Sequence, residues 1–414
     1  MSLWLRERMK FKHKKLSNGL DIIAEVNKDA QSAAFGFFVK TGSRDETDEI
    51  SGVSHFLEHM LFKGTDRLSA HDANRRFDDL GAQYNAHTTE ENTVFYSATL
   101  PAQLYEAAKL WCQLMRPAIR DDDFNMEKNV ILEEIAMYKD VPEFDVRESC
   151  RSLHFGSHPC GKSILGSVES IKALSGRQMR EYFSNRYAPN NITAAVAGNF
   201  DFEKVCDCLQ VGCADWQPKQ VDRFTDYFAG TAKKEHQKKK NLTCRYLCLA
   251  GPTVSYQDKR VYAAALLAKI IGDDTGSRFF WRLVDPAIAE TAAMYCEAMD
   301  GIGVYYTLIR TPEENSSKVM QIVEDIFNSL QKEKISADEL QKAKNKVLSA
   351  ITIKNEIPMG RLIELGVNWT YLKEYRPIED EIQRIKKVTL DDLMTLLQEF
   401  PFTPFTQFSL GPEK

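Results

Sequence analysis

Strands and helices recur in the same order in the two halves of this 414-residue chain, and no other feature restricts its fold as much. In the first half, "KLSNGLDIIAEV" (15–26) and "SAAFGFFVKTGSRDE" (32–46) alternate as strands and read as a hairpin. Turn signals stand at Asn18-Gly19 and across Asn27 to Ala30. An apolar helix follows. "GAQYNAHTTEENTVFYSATL" (81–100) then gives two strands about a polar turn, and helices cover about Pro101 to Met115 and Asp121 to Asp140. The second half repeats the series with strand "CRYLCLAGPTV", helix "KRVYAAALLAKIIG", strand "GIGVYYTLIRT" and helices at about 314–330 and 337–353. "KNVILEEI" (128–135) shares Lys, Asn, Leu and Ile with "KNKVLSAI" (344–351) at the same offsets. "HFLEHMLFKG" (55–64) lies on "AALLAKIIG" (264–272), both apolar and both closing on glycine. The pattern is that of a duplicated unit.

The alignment isolates one group of residues. His55, Glu58 and His59 sit in a segment otherwise built from Phe56, Leu57, Met60, Leu61 and Phe62. Histidines four apart share a helical face, with Glu58 beside them. Burying two imidazoles and a carboxylate without partners costs several kcal/mol, and a metal ion is the economical candidate to compensate. In the second copy these positions are Ala264, Leu267 and Ala268. The helix packs without the polar groups, so they serve chemistry confined to the first half.

Composition narrows the class further. The length suggests two to three domains; we divide the chain into 1–220, a linker at 221–240, and 241–414. The basic run "KKEHQKKK" (233–240) reads as a solvated part of that linker. A net charge of −5 argues against nucleic acid as the main partner. No apolar run reaches the ~18–20 residues of a membrane span, and "MSLWLRERMKFKHKK" has no signal-peptide core. Nine cysteines without such a signal read as reduced thiols in the cytoplasm. The spacing of Cys206, Cys208 and Cys213 fits no standard zinc pattern, and His71, His154, His158 and His236 receive no catalytic assignment.

A catalytic zinc site needs a third protein ligand and an open position. The helix "DDDFNMEKNVILEEIAMYKD" (121–140) offers Glu127, Glu133 and Glu134. Glu127 and Glu134, seven apart, share a stripe with Ile131 and Tyr138, whereas Glu133 points about a third of a turn away. In the second copy Glu127 and Glu134 are replaced by Ala343 and Ala350.

H-x-x-E-H followed by a glutamate at this distance resembles the M16 family of metallopeptidases, the inverzincins, which include pitrilysin and the mitochondrial processing peptidase. "LSNGL", "SGVSHFLEHMLFKGT", "MEKNVILEEI", "HPCGKSILGS" and "YFSNRYAPNNITAAVAGNF" extend the resemblance over nearly the whole chain, at the length of the M16B subfamily. The resemblance implies an α+β fold of two related domains, each a mostly antiparallel sheet packed with helices, the M16/LuxS-like metallohydrolase fold. It implies His55, His59 and Glu134 as ligands of one zinc ion per chain, Glu58 as general base and Glu127 as the supporting carboxylate. It further implies a zinc endopeptidase cutting unfolded peptides in a clam-shell chamber, with a specific precursor-processing peptidase or a non-catalytic scaffold subunit as alternatives.

Within the family, the strand resembling "QYNAHTTEENTVFY" pairs with extended substrate, which points to the main chain of Asn85, Ala86, His87 and Thr88; an ordinary hairpin fits the same residues. Members that act alone carry an Arg and, seven residues on, a Tyr in the second half, after a Ser-Arg-hydrophobic segment. Here "GSRFFWRLVDPAIAETAAMY" (276–295) places Val284 and Thr291 at those positions, and no register restores the pair. The expected assembly is therefore a homodimer or a heterodimer with a homologue carrying the Arg and Tyr, unless Tyr305 or Arg310 substitutes.

Overall fold

The computed structural model describes residues 9–332 and 334–413. The first eight residues of the amino-terminal stretch lie outside the described residues. The first half contains β1 (Met9–Lys15), β2 (Asp21–Asn27), β3 (Ala33–Val39), α1 (Val53–Leu61), α2 (Ala70–Asp79), β4 (Gln83–Thr88), β5 (Thr93–Thr99), α3 (Leu104–Leu114), α4 (Asp121–Lys139), α5 (Pro142–Phe155), α6 (Val168–Ala173), α7 (Gly176–Arg186), β6 (Ile192–Gly198) and α8 (Phe202–Gly212). The second contains β7 (Lys234–Lys239), β8 (Cys244–Thr253), α9 (Val261–Gly272), β9 (Thr291–Ala298), β10 (Gly303–Pro312), α10 (Ser316–Lys332), α11 (Ala337–Asn355), α12 (Pro358–Leu372), α13 (Ile378–Lys387), α14 (Leu390–Glu399) and β11 (Thr406–Pro412).

Two sheets carry the fold, in the orders β1-β2-β6-β3-β5-β4 and β7-β11-β8-β10-β9. Omitting β1, they are the same sheet. Each has one parallel pair, β2 with β6 and β7 with β11, and antiparallel pairing elsewhere. The repeat extends to the helices. α4 and α11 are both 19 residues long, and each end of α11 falls 216 residues after its counterpart (121 to 337, 139 to 355). The offset persists into the next helices, which open on Pro142 and Pro358.

Two sequence expectations give way here. β2 and β3 are not a hairpin: β6 lies between them, parallel to β2 and antiparallel to β3. Both strands are buried on both faces, so each needs a neighbour on either edge. The apolar "ITAAVAG" of β6 fills that slot, and the tight turn at Asn18-Gly19 serves β1 and β2 instead. The run at 233–240 is not solvated linker, because Lys234–Lys239 is β7, an edge strand parallel to β11. Its side chains are mostly exposed, so composition conceals a strand held by backbone pairing. Lysines also blunt such an edge against further pairing.

Nor do the compact units follow the linear division. One comprises the chain to Ile135, Ser163–Arg223 and Ile351–Glu379; the other comprises Ala136–Lys162, Phe224–Ala350 and the chain from Asp380. Each sheet is thus completed by a helix from the opposite half of the sequence. In the first unit, Leu362, Leu365 and Trp369 of α12 pack on Ile23, Ala34, Phe38 and Ala195. The alternate residues Ile22, Phe35, Phe37 and Val39 face the main core. Gly366 permits the approach, since a Cβ there would lie 2.2 Å from the Phe38 ring. In the second unit, Val146, Cys150 and Phe155 of α5 do the same against Cys248, Ala250, Tyr306 and Leu410.

Candidate metal centre

α1 begins at Gly52, whose φ of +91° is open to glycine at little cost. The buried Glu46 carboxylate accepts hydrogen bonds from the N–H groups of Gly52 (2.7 Å) and Ser54 (2.8 Å), capping the positive end of the helix. Val53, Phe56, Leu57, Met60 and Leu61 are fully buried. That face is taken by the core, which leaves His55, Glu58 and His59 to share the remainder.

α4 lies against α1 through Phe124, whose ring stacks on Phe56 with centroids 4.7 Å apart. Phe124, Glu127 and Ile131 are its buried stripe. One turn further, Glu134 meets the histidines: Oε1 stands 3.7 Å from His55 Nε2 and Oε2 stands 3.6 Å from His59 Nε2. Glu133 is exposed and turned away. Among the described residues, His55, His59 and Glu134 are the one group of His, Cys, Asp or Glu donors close enough to hold an ion, with ligand atoms within 4.8 Å of one another. All nine cysteines are free thiols outside that group.

The donors fit zinc. Their separations are too long for hydrogen bonds and near the roughly 3.4 Å between two ligands about 2.1 Å from a tetrahedral ion. His59 Nδ1 lies 2.9 Å from Glu127 Oε1, so a proton there leaves Nε2 as the lone-pair donor. The second oxygen of Glu127 pairs with Lys63. His55 is 8% exposed, and burial, then the neighbouring His59, pushes its imidazole down to about 3, keeping it a neutral donor. For His59, burial opposes protonation, but the Glu127 hydrogen bond and the Glu134, Glu127 and Glu58 carboxylates outweigh it and raise the imidazole. Burial raises Glu134 and Glu58 above the usual carboxylate range, with His59 offsetting part of the rise for both and the Thr88 hydrogen bond part of it for Glu58. Burial also acts to raise Glu127, but His59 and Lys63 overcome it and hold that carboxyl low. A bound zinc ion would supply Lewis acidity, polarising a carbonyl and acidifying water. The protein's own side chains present a neutral His55, a His59 hydrogen-bonded to Glu127, and the Glu58 carboxylate one residue before His59 on the same helix.

β4 is the outermost strand of its sheet, paired only with β5 among the described residues. Tyr84, Ala86 and Thr88 share the face toward α1, and Asn85 and His87 are exposed on the other. His87 rests near the Tyr96 ring instead of joining the metal cluster. Asn85 Oδ1 accepts from the N–H of Ala86 at 2.9 Å. Sequence reasoning, which names Thr88 for its main chain, misses two side-chain contacts: the Thr88 hydroxyl donates to Glu58 at 2.5 Å, and Lys63 pairs with Glu127. Lys63 had a signal, a cation one turn beyond His59 in a cluster of carboxylates.

In the second unit, Thr291 opens β9 and Val284 lies in the helical turn 280–284. Tyr305 is buried and donates to the carbonyl of Ala264 (3.3 Å), and Arg310 pairs with Glu290 (2.8 Å). His154 lies 3.0 Å from the Thr406 hydroxyl and His236 lies 3.0 Å from that of Ser409. His158 stacks on Phe155 and Phe228, and His71 is exposed.

Two histidines and a carboxylate converging beside a further carboxylate form a candidate site for a single metal ion, set in one copy of a repeated sheet-and-helix unit. The chain belongs to peptidase family M16: residues 21–168 match the family described as insulinase (peptidase family M16), and 173–347 match the peptidase M16 inactive domain. It is 28% identical over 394 residues to an uncharacterized zinc protease of Bacillus subtilis, covering 92% of this chain and 93% of that protein. It is 27% identical over 396 residues to one of Streptomyces coelicolor, covering 93% and 86%. A protease from Helicobacter pylori has the same fold, with a TM-score of 0.90 at 21% identity over 98% of this chain and 100% of that one. So has a chain of complex III2 from Candida albicans, with a TM-score of 0.84 at 17% identity over 97% and 95%. Among the described residues no helix is long and apolar enough to cross a membrane.

Proposed function

We propose that this chain is a zinc-dependent endopeptidase acting on unfolded peptides. One zinc ion per chain is held by His55, His59 and Glu134, Glu58 is the general base, and Glu127 orients His59. The observation that carries this reading is the convergence of one donor atom each from His55, His59 and Glu134 within 4.8 Å of one another, with Glu58 on the helix of the two histidines. The names of the bacterial relatives support zinc and proteolysis. Peptide would add to the open edge of β4 along Asn85 to Thr88, where main-chain pairing accepts many sequences. Nine free thiols fit a cytoplasmic setting.

Full activity requires a second, homologous M16 subunit bringing the Arg and Tyr absent at Val284 and Thr291. Tyr305 is already bonded to a backbone carbonyl and Arg310 to Glu290, which leaves them unsuited as oxyanion donors. The scaffold reading draws on the name of the second matched domain and on the likeness to a complex III2 chain. The intact donor set in the first half favours catalysis. Zinc-loaded protein, alone and mixed with an Arg/Tyr-bearing homologue, is incubated with an unstructured peptide and with a tightly folded protein. We expect slow cleavage of the peptide alone, faster cleavage in the mixture, loss on chelation, and sparing of the folded protein. No zinc-dependent cleavage in either setting overturns the reading.

A further inference from the structure

Thr88 closes the strand that would receive peptide, and period-two alternation turns its side chain toward α1. Tyr84, on the same face, stacks on Phe77 with centroids 4.1 Å apart, and Ala86 is buried in the core. The Thr88 hydroxyl then donates to Glu58 Oε2 at 2.5 Å, the length of a charge-assisted bond. Glu58 is only partly buried, so without that bond its carboxylate has several rotamers open to it. With it, one oxygen is fixed and Oε1 remains to accept a proton.

The residues immediately after Thr88 are held from several directions. The Thr89 hydroxyl accepts from the N–H groups of Glu91 (3.2 Å) and Asn92 (3.0 Å), closing the turn. Arg44 pairs with Glu91, both buried. Tyr371 of α12 donates to Glu91 Oε2 at 2.6 Å and accepts from the Asn92 side chain at 2.7 Å. A strand end anchored in this way cannot drift from α1, whereas its outer edge stays open.

We propose that Thr88 is a positioning residue, coupling the edge of β4 to the orientation of Glu58. Its hydroxyl sets the base from the same strand whose outer edge is open to a peptide. The inference rests on the functional reading above and assigns Thr88 a side-chain role beyond main-chain pairing.

The test compares Thr88→Val, which keeps the shape and removes the hydroxyl, with Thr88→Ser, which restores it. We expect Thr88→Val to retain one zinc per chain, the unaltered melting temperature and KM within about twofold, while kcat falls roughly 10–100-fold, part of the 10²–10⁴ a general base supplies. Thr88→Ser recovers most of the rate. In metal-free protein, the ¹³C resonance of the Glu58 carboxyl moves in Thr88→Val and stays in Thr88→Ser, a readout independent of turnover. Unaltered kcat in Thr88→Val overturns the inference, as does a loss appearing in KM, in zinc content, or equally in Thr88→Ser. If the unaltered protein cleaves and Thr88→Val matches it, only this inference falls; if the unaltered protein fails to cleave, the functional reading falls and takes it along.

Discussion

Glu127→Gln tests how the metal centre is supported. Glu127 is 5% exposed and both of its oxygens are engaged, Oε1 by His59 Nδ1 at 2.9 Å and Oε2 by the Lys63 ammonium. Glutamine has nearly the same volume but a single acceptor oxygen. Its NH2 must therefore face either the His59 N–H or the Lys63 ammonium, and in either orientation a donor meets a donor. The bond to His59 also loses its charge, and hydrogen bonds to charged groups contribute about 1.5–3 kcal/mol. The imidazole is then less firmly oriented and less basic at Nε2. Loss of such an outer partner weakens metal binding about 10–100-fold, roughly 1.4–2.7 kcal/mol. Competition with a chromophoric chelator measures this directly. Zinc should still bind in a one-to-one ratio but 10–100-fold more weakly than in the unaltered protein. Affinity within twofold of the original would refute the argument that Glu127 orients His59. A loss as complete as that of His59→Ala would make Glu127 a direct ligand.

Three further outcomes follow from the same geometry. Gly52→Ala puts a Cβ 2.6 Å from the Leu165 carbonyl oxygen at a φ of +91°, so strain and overlap together should cost about 2–4 kcal/mol in denaturant unfolding. Arg361→Met leaves Glu25 buried without its bidentate partner at 2.8 and 2.6 Å; it should destabilise by about 3–5 kcal/mol, and adding Glu25→Leu should recover most of that. His154, 1% exposed, is held down to about 4 by burial. Its folded value lies below its unfolded one, so its contribution is complete above about pH 6.5 and lost as pH falls toward 4. That contribution amounts to roughly 3 kcal/mol, and His154→Gln should flatten this part of the stability profile.

The sequence made the site more legible than the sheet. The H-x-x-E-H spacing sits on one helix, where periodicity fixes direction, and the choice of Glu134 over Glu133 follows from helical phase. The duplication was visible because α4 and α11 keep one register along their whole length. Sheet order was not. Continuous apolar runs such as Ala33–Val39 announce a strand buried on both faces, but they do not say which distant segment lies alongside, so β6 between β2 and β3 stayed hidden. The exchange of α5 and α12 escaped for the same reason, since an amphipathic stripe does not name the sheet it covers. β7 is not legible because its mostly exposed side chains carry no packing signal. Thr88 enters the sequence argument through its backbone alone, although its place at the end of an alternating strand puts its side chain on the α1 face.

A crystal grown with zinc and measured on both sides of the zinc absorption edge tests the central claim most directly. The account predicts one anomalous peak per chain, about 2.0–2.2 Å from His55 Nε2, His59 Nε2 and a Glu134 oxygen, that disappears in His59→Ala and persists in Glu58→Gln. A peak coordinated by Glu58 or Glu133, or zinc bound elsewhere with this cluster empty, would contradict it.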